Sequence, residues 1–373
     1  MTTFSPLFVP EALRDAVSDA AWLEAMLDAE RALATAASLA GVLDAGEAAA
    51  VAEACDASLY DIEALAADGR SVANPVEPLA RALRGRAPAA HRGATSQDIL
   101  DTAAMLVATR SVGLIVDELR GAEEACAVLA RAYRSTPMPA RTLLQQAVPT
   151  TFGYVVAQWL VALRVPRGEL EHLTLPAQLG GAAGTLAAFG TRGPEVKAQF
   201  ARELDLFDPV LPWHADRAPV AELAGLLDQV AQAAAKIALD VVLLAQTEIG
   251  EVREGVGGAS SAMPHKRNPA RAVLARACAR GVHAQAGVLT ATGDYELQRA
   301  AGAWQAEWNA LSEALALAGG AAAAIRECLE SLEVDAERMR ENMGETLYSE
   351  RDALGLEGDY LGAAEEFVDR VLG

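Results

Sequence analysis

The chain has 373 residues, of which 52% are hydrophobic and only 5% aromatic, and its formal net charge at pH 7 is −20. An apolar fraction dominated by alanine, leucine and valine favours close helix packing over sheet, and the length allows two or three domains or one extended helical bundle. The negative charge argues against nucleic acid and anionic membrane surfaces as partners. The first residues contain neither a basic segment nor a continuous apolar stretch, so we expect no secretory signal, no membrane anchor and a cytoplasmic location.

Apolar periodicity predicts helices along most of the chain. Several short amphipathic helices are expected within residues 10–85, with a break over residues 71–78, and a long helix is expected from Ser96 to Tyr133. That helix has acidic residues near its start, where the helix dipole favours negative charge. Further helices are predicted over residues 149–173, over residues 219–250 and after Pro269. The pattern at 219–250 is the longest and is apolar on more than one face, which indicates burial among other helices.

These patterns predict an all-α protein in three parts. Residues 1–95 form a small N-terminal helical domain, residues 96–320 form a central bundle of long helices, and residues 321–373 form a short C-terminal helical segment.

Cysteine and histidine residues show no spacing typical of a metal site or a redox motif. The cysteines are predicted to be buried thiols: Cys55, Cys126, Cys278 and Cys328. No phosphate-binding glycine loop or dinucleotide fingerprint precedes a predicted helix. We therefore expect neither a metal nor a cofactor.

Residues 257–269 read Gly-Gly-Ala-Ser-Ser-Ala-Met-Pro-His-Lys-Arg-Asn-Pro. Glycine residues there can adopt backbone dihedral angles that other residues cannot, and Pro264 prevents a continuous helix. We therefore expect a loop that closes over a ligand. A serine hydroxyl can accept a proton when nearby donors stabilise its alkoxide, and Lys266 and Asn268 can bind a carboxylate that gains charge. The alternative is a glycine-rich surface loop before a basic helix start.

This loop resembles the signature loop of the fumarase/aspartase superfamily, Ser-Ser-x-Met-Pro-x-Lys-x-Asn, at every fixed position. Residues 91–102 and 141–153 resemble the first and second signature regions of that superfamily, and further similarity at 179–185 and 212–214 extends the match over most of the chain. The resemblance implies a homotetramer built on the helical bundle, with active sites shared between subunits. It also implies that a group is added or removed β to a carboxylate through an enediolate-like intermediate. The C-terminal domain is expected to be abbreviated.

The same resemblance implies roles for individual residues. Ser260 matches the base that carries the proton, and Ser261 is the nearby alternative. Donors to the substrate carboxylates are expected at Thr95, Ser96, Thr142, Gln145, Lys266 and Asn268, with Ser261 beside them. His91 is expected in the catalytic group because it lies close to Thr95 and Ser96.

Arg299 is expected to bind a further carboxylate, and its alternative is a solvated charge on a helix. His265 is expected either to tune the loop or to face solvent. The remaining histidines are predicted to be structural: His172, His214 and His283.

Two positions depart from the elimination lyases of the superfamily. Many of these have Thr-His where this chain has Thr142-Leu143, and the type that acts on adenylosuccinate has a glutamate where Val273 aligns. A leaving amine or alkoxide needs a proton from such a pair, whereas an internal carboxylate leaves as a stable anion. The chain therefore resembles the cycloisomerase branch, whose members close a lactone on a muconate-type tricarboxylate. An elimination lyase acting on a substituted succinate and a non-catalytic homologue are the alternatives.

Overall fold

The computed structural model describes residues 3–256, 258, 263 and 266–373. The helices are α1 (Ser5–Phe8), α2 (Glu11–Ala16), α3 (Asp19–Leu39), α4 (Ala45–Ala54), α5 (Ile62–Gly69), α6 (Val76–Arg86), α7 (Ser96–Ala132), α8 (Phe152–His172), α9 (Gly193–Glu203), α10 (Ala218–Leu244), α11 (Ala270–Ala291), α12 (Ala303–Glu330), α13 (Ala336–Glu341), α14 (Ser349–Ala353) and α15 (Ala364–Leu372). The strands are β1 (Pro137–Thr142), β2 (Gln145–Thr151), β3 (Val252–Glu254) and β4 (Leu332–Val334). The prediction of a helical architecture is confirmed, and the division of the chain into three domains at residues 95 and 320 stays a prediction.

Five long helices form the core. Helix α10 packs against α11, α11 against α12, α12 against α7, and α7 against α8, while α3 covers the first part of α7. Small residues allow these close contacts: a side chain at Gly319 in α12 would collide with Leu13 of α2. Helix α7 has the length and hydropathy of a membrane span, yet 78% of its most apolar window is buried in the fold. Its surroundings are those of a core helix.

Polar caps set the boundaries of the N-terminal helices. The Ser18 side chain accepts a hydrogen bond from Ala21 N at the start of α3, and Asp44 and Glu47 form a capping box at the start of α4. The Asn74 side chain accepts hydrogen bonds from the N–H groups of Val76 and Glu77, so α6 begins at Val76. The break expected over residues 71–78 is therefore shorter than predicted, because proline is tolerated in a first helical turn.

Two of the helix predictions differ from the structure. Helix α10 ends at Leu244, six residues before the predicted end, and with 27 residues it is shorter than α7 with 37 and α12 with 28. The helix expected from residue 149 begins at Phe152, because residues 145–151 pair antiparallel with β1 in a hairpin that the helical pattern did not predict.

The four cysteines are buried as predicted, and burial raises the pKa of each thiol.

The β1–β2 hairpin turns through two leucines in left-handed backbone conformations. Thr142 pairs with Gln145, and the turn residues Leu143 and Leu144 have φ of 50° and 64°. A two-residue turn with both φ values positive strongly prefers Asn-Gly, and a left-handed conformation costs a residue with a side chain roughly 1 kcal/mol. Leu143 is 97% exposed and Leu144 73%. An exposed apolar pair therefore occupies a strained turn.

Replacing this turn with Leu143→Asn/Leu144→Gly should raise the free energy of unfolding by about 1 kcal/mol, because the new residues adopt positive φ at lower cost. Urea denaturation at one fixed protein concentration measures the change. Leu211→Asn is the matched control, since Leu211 is also 73% exposed and its φ is not positive. A double variant no more stable than this control would contradict the strain assigned to the turn.

Candidate active site

The buried carboxylate of Asp98 fixes the start of α7. Its Oδ2 accepts hydrogen bonds from the N–H groups of Thr95 at 2.9 Å and Gly181 at 2.9 Å, and its Oδ1 accepts one from Gly180 N at 2.8 Å. His214 Nε2 lies 2.6 Å from Oδ1 and is also buried, and its structural role stays a prediction. Thr95, and Ser96 next to it, are thereby held beside the glycine turn at residues 180–181.

His91 lies against a buried glutamate that the sequence analysis did not identify. Glu30 in α3 has no exposed surface, its Oε1 lies 2.6 Å from His91 Nδ1, and its Oε2 accepts a hydrogen bond from His91 N at 3.0 Å. Burial alone would lower the pKa of His91, but the charge of Glu30 and the hydrogen bond to it outweigh burial and raise this pKa above its ordinary value of 6.5. An acidic residue inside the apolar face of α3 was the available signal, since a buried carboxylate requires a partner.

Arg299 lies in the loop before α12 rather than on a helix, and it is partly buried. Its guanidinium donates to Gln97 Oε1 at 3.2 Å and to the carbonyl oxygen of Ala182 at 2.9 Å. Gln97 is held in turn, because its Nε2 donates to Asp101 Oδ2 at 3.0 Å and to the carbonyl of His214 at 2.9 Å. Arg299 therefore belongs to the same group of side chains as Thr95 and Ser96. We call this set the first group, and its members are Glu30, His91, Thr95, Ser96 and Arg299.

A buried ion cluster lies beneath the first group. Arg217 donates to both carboxylate oxygens of Asp101, at 2.8 and 3.1 Å, and to both oxygens of Glu307, at 3.2 and 2.6 Å. Its guanidinium also lies over the rings of Trp213 and Tyr295. Burial would lower the pKa of Arg217, but the two carboxylates raise it, so the guanidinium stays charged. The cluster joins the starts of α7, α10 and α12.

Thr142 and Gln145 lie on either side of the hairpin turn, and both are exposed. The hairpin is anchored by Arg141, whose Nη1 and Nη2 donate to the two oxygens of buried Glu251 at 2.9 and 2.6 Å. Asn342 Nδ2 donates to the same carboxylate at 2.8 Å. Glu251 therefore holds the hairpin and α13 against the segment that leads into the signature loop.

Lys266 and Asn268 line a cavity of about 930 Å³ that also includes Arg253 and Arg267. Asn268 N donates to the carbonyl of Gly258 at 2.8 Å, and a side chain at Gly258 would collide with the Asn268 carbonyl. This contact closes the base of the signature loop. Ser260, Ser261 and His265 lie outside the described residues. In the part of the chain that the structure describes, no group of three or more histidine, cysteine or carboxylate side chains is placed to hold a metal ion.

The first group lies at the opposite end of the bundle from the hairpin and the lysine cavity. Helix α7 starts at Ser96 and leads into β1 after 37 residues, a length of about 55 Å at 1.5 Å per residue. Helix α10 starts beside Arg217 and ends at the lysine cavity after 27 residues, about 40 Å. One chain therefore does not bring the first group to Lys266 and Asn268.

Comparisons with known proteins agree with this architecture. The Lyase family matches residues 10–283. A nitrosuccinate lyase from Streptomyces davaonensis is 45% identical over 373 residues, covering 94% of this chain and 79% of that protein. A 3-carboxy-cis,cis-muconate cycloisomerase from Bradyrhizobium diazoefficiens is 41% identical over 363 residues, covering 92% of this chain and 80% of that protein. The crystal structure of the 3-carboxy-cis,cis-muconate lactonizing enzyme from Pseudomonas putida has a TM-score of 0.91 at 33% identity and covers 99% of this chain and 98% of that chain.

The chain belongs to the Lyase family, within the fumarase/aspartase superfamily. The resemblance inferred from the three signature regions is thus confirmed. The chain is an enzyme of the fumarate lyase superfamily. The roles of individual residues of this lyase remain proposals.

The Glu30–His91 pair predicts a pH-dependent contribution to stability. Because the pKa of His91 is raised in the folded state, the stabilisation is fully present below the ordinary value of 6.5 and is lost as pH rises through the raised pKa. The difference in free energy of unfolding between the parent and Glu30→Gln should therefore shrink as pH rises above 6.5, measured by urea denaturation across that range.

Glu53→Gln, an exposed substitution on α4, should leave the pH profile of the parent unchanged. A parent-minus-Glu30→Gln difference that grew with pH would show that His91 is not the group that titrates.

Proposed function

We propose that this lyase is a cycloisomerase that converts 3-carboxy-cis,cis-muconate to 4-carboxymuconolactone, in the cytoplasm. The observation that carries the proposal is the hairpin turn, where Leu143, which is 97% exposed, stands in place of the histidine of many elimination lyases that release an amine or alkoxide. The turn residues from Thr142 to Gln145 include no group that ionises near neutral pH. The cycloisomerase relatives at 41% identity support the same branch.

The reaction needs no acid for a leaving group. One carboxylate oxygen of the substrate forms a C–O bond with a carbon of a double bond, and the adjacent carbon receives a proton from the Ser260 hydroxyl. In the reverse direction the internal carboxylate takes the C–O bond pair and leaves as a stable anion, so no donor is required at position 143. Lys266 and Asn268 stabilise the enediolate-like intermediate, in which a second negative charge develops on a substrate carboxylate.

The first group supplies the remaining contacts to the substrate. Arg299 provides a fixed positive charge, while the charge of protonated His91 is balanced by Glu30, so His91 contributes a hydrogen-bond donor. A tricarboxylate needs such local charge because the chain as a whole carries −20. The Thr95 N–H is occupied by Asp98, but the hydroxyls of Thr95 and Ser96 and the N–H of Ser96 at the start of α7 offer donors to a carboxylate, where the helix dipole favours an anion.

We propose a homotetramer in which each active site takes the first group from one chain and the lysine cavity from another. The support is the separation of about 40 to 55 Å between these groups along α10 and α7. Such an assembly explains the strained, exposed turn of Leu143 and Leu144, because a turn at a shared site supplies apolar surface next to the substrate.

Elimination of nitrite from a nitrosuccinate is the second candidate function. The specific observation in its favour is the nitrosuccinate lyase relative at 45% identity. A base removes the proton beside a carboxylate, the C–N bond breaks, and nitrite leaves with the bond pair as fumarate forms. Nitrite is a weak base, so this reaction also needs no acid at position 143.

Parallel assays distinguish these functions. The purified chain is mixed with 3-carboxymuconate, nitrosuccinate or adenylosuccinate, and loss of diene ultraviolet absorbance, nitrite release and fumarate formation are followed. We expect turnover of 3-carboxymuconate, and Lys266→Met should lower kcat by roughly 100-fold because the lysine charge acts mainly in the transition state. Nitrite release without loss of diene absorbance would replace the first candidate with the second. Turnover of adenylosuccinate alone would contradict both.

A further inference from the structure

Glu254 is a buried carboxylate between the two segments that flank the signature loop. It is the last residue of β3 and is 3% exposed. Its Oε2 accepts a hydrogen bond from Arg271 N at 3.0 Å, and its Oε1 accepts one from Ala272 N at 2.8 Å. Both donors belong to the first turn of α11, 17 and 18 residues further along the chain. The carboxylate therefore joins the strand that leads into the loop to the helix that leads out of it.

Glu254 supplies a cap that α11 lacks locally. Pro269 at the N-cap position makes no side-chain hydrogen bond to the helix, and the first turn of α11 contains no acidic residue. The first N–H groups of a helix have no partner within the helix, and the helix dipole favours a negative charge at that end. A glutamate from β3 provides both the charge and one acceptor oxygen for each of two N–H groups.

The strand end of this link is fixed to the bundle. Glu254 pairs with Leu332 of β4, and Gly255 N donates to the carbonyl of Ser331 at 2.7 Å, directly after α12. The Cys328 thiol in α12 is a further donor to the carboxylate. Burial, and then the charge of Glu254 and the hydrogen bond to it, raise the pKa of this thiol, so the thiol stays protonated. Glu254 therefore connects the start of α11 to the end of α12.

The positions of Lys266 and Asn268 depend on where α11 begins. Asn268 lies two residues before Ala270, the first residue of α11, and Lys266 lies five residues before Arg271. Both line the cavity of about 930 Å³. A displacement of the first helical turn therefore also moves the backbone that carries these side chains. Displacing a group that acts on the substrate by about 1 Å can lower the rate by roughly 100-fold.

We propose that Glu254 is a positioning residue for catalysis, which holds the start of α11 against β3 and thereby places Lys266 and Asn268 at the substrate. The inference rests on the proposed function, in which Lys266 acts mainly in the transition state. It adds to the active site a residue outside the signature loop. Glu254 acts through Lys266, because its own oxygens are buried and accept from α11.

A double-variant cycle tests this dependence on Lys266. Glu254→Gln keeps the length of the side chain but turns an amide NH₂ toward a backbone donor, so one of the two hydrogen bonds is lost. It should lower kcat by about tenfold and change KM by less than about twofold, because the lysine charge matters most in the transition state. In the Lys266→Met background the same substitution should lower kcat by at most about twofold, since the main group that Glu254 positions is then absent.

Glu327→Gln is the matched control on the other side of Arg271. Glu327 pairs with the Arg271 guanidinium at 2.9 Å near the surface, so its loss removes a charge beside the same helical turn without affecting β3. It should leave kcat unchanged in both backgrounds. If Glu254→Gln does not fold, Glu254→Asp keeps the charge but withdraws it by one methylene, and its effect should depend on Lys266 in the same way.

Trypsin cleavage measures the placement of the loop without any substrate. Lys266 and Arg267 are exposed, and Arg70, exposed after α5, provides an internal reference. Cleavage after Lys266 or Arg267 should be about tenfold faster in Glu254→Gln than in the parent, and cleavage after Arg70 should be unchanged. A parent that does not consume 3-carboxymuconate contradicts the proposed function alone, because the cycle can be run on nitrosuccinate and because trypsin requires no turnover.

Equal losses of kcat from Glu254→Gln with and without Lys266 would overturn the proposal, because Glu254 would then support the fold without acting through the lysine. An unchanged rate of cleavage after Lys266 and Arg267 would overturn it too, since the carboxylate would then not fix this part of the chain.

Discussion

The guanidinium of Arg217 is buried between helices, so its positive charge has to be balanced by carboxylates in contact with it. The structure of this lyase is organised around that requirement. Removing one partner of such a cluster leaves an uncompensated buried charge, which is far more costly than exposing an ion pair. Asp101 and Glu307 come from α7 and α12, so their contacts with Arg217 fix how the starts of three helices meet. Asp101 also accepts from Gln97, and Gln97 holds Arg299. The position of a proposed substrate-binding arginine therefore follows from the neutralisation of a buried charge.

The length of the bundle helices has a second consequence, which is functional. They hold the first group at one end of the bundle and the hairpin and lysine cavity at the other, with Glu251 anchoring the hairpin. Catalysis of the superfamily type needs donors, a proton carrier and a lysine around one substrate. A single chain separates these groups, so the rigid bundle that stabilises the fold is also the reason that the proposed active site requires association.

Sequence patterns predicted the parts of this structure that depend on local periodicity and motif order. Helix α7 was predicted within one residue of its end, because its apolar pattern runs unbroken to Ala132. The β1–β2 hairpin was missed, since its turn has leucines where Asn-Gly would have signalled it. Glu30 was missed because its partner His91 is 61 residues away in sequence, and the pairing depends on how α3 packs on α7. Charged partners of this kind are set by tertiary packing, and a single sequence does not reveal them.

Complementation between two inactive variants tests the shared active site most directly. His91→Ala disables the first group and Lys266→Met disables the lysine cavity, so each variant alone should turn over 3-carboxymuconate very slowly. Co-expressed in equal amounts, they should recover roughly one quarter of the parent activity, because a site that draws the two groups from different chains is intact when both happen to be unaltered. Activity that stays at the level of the separate variants would show that both groups come from the same chain, and it would contradict the account.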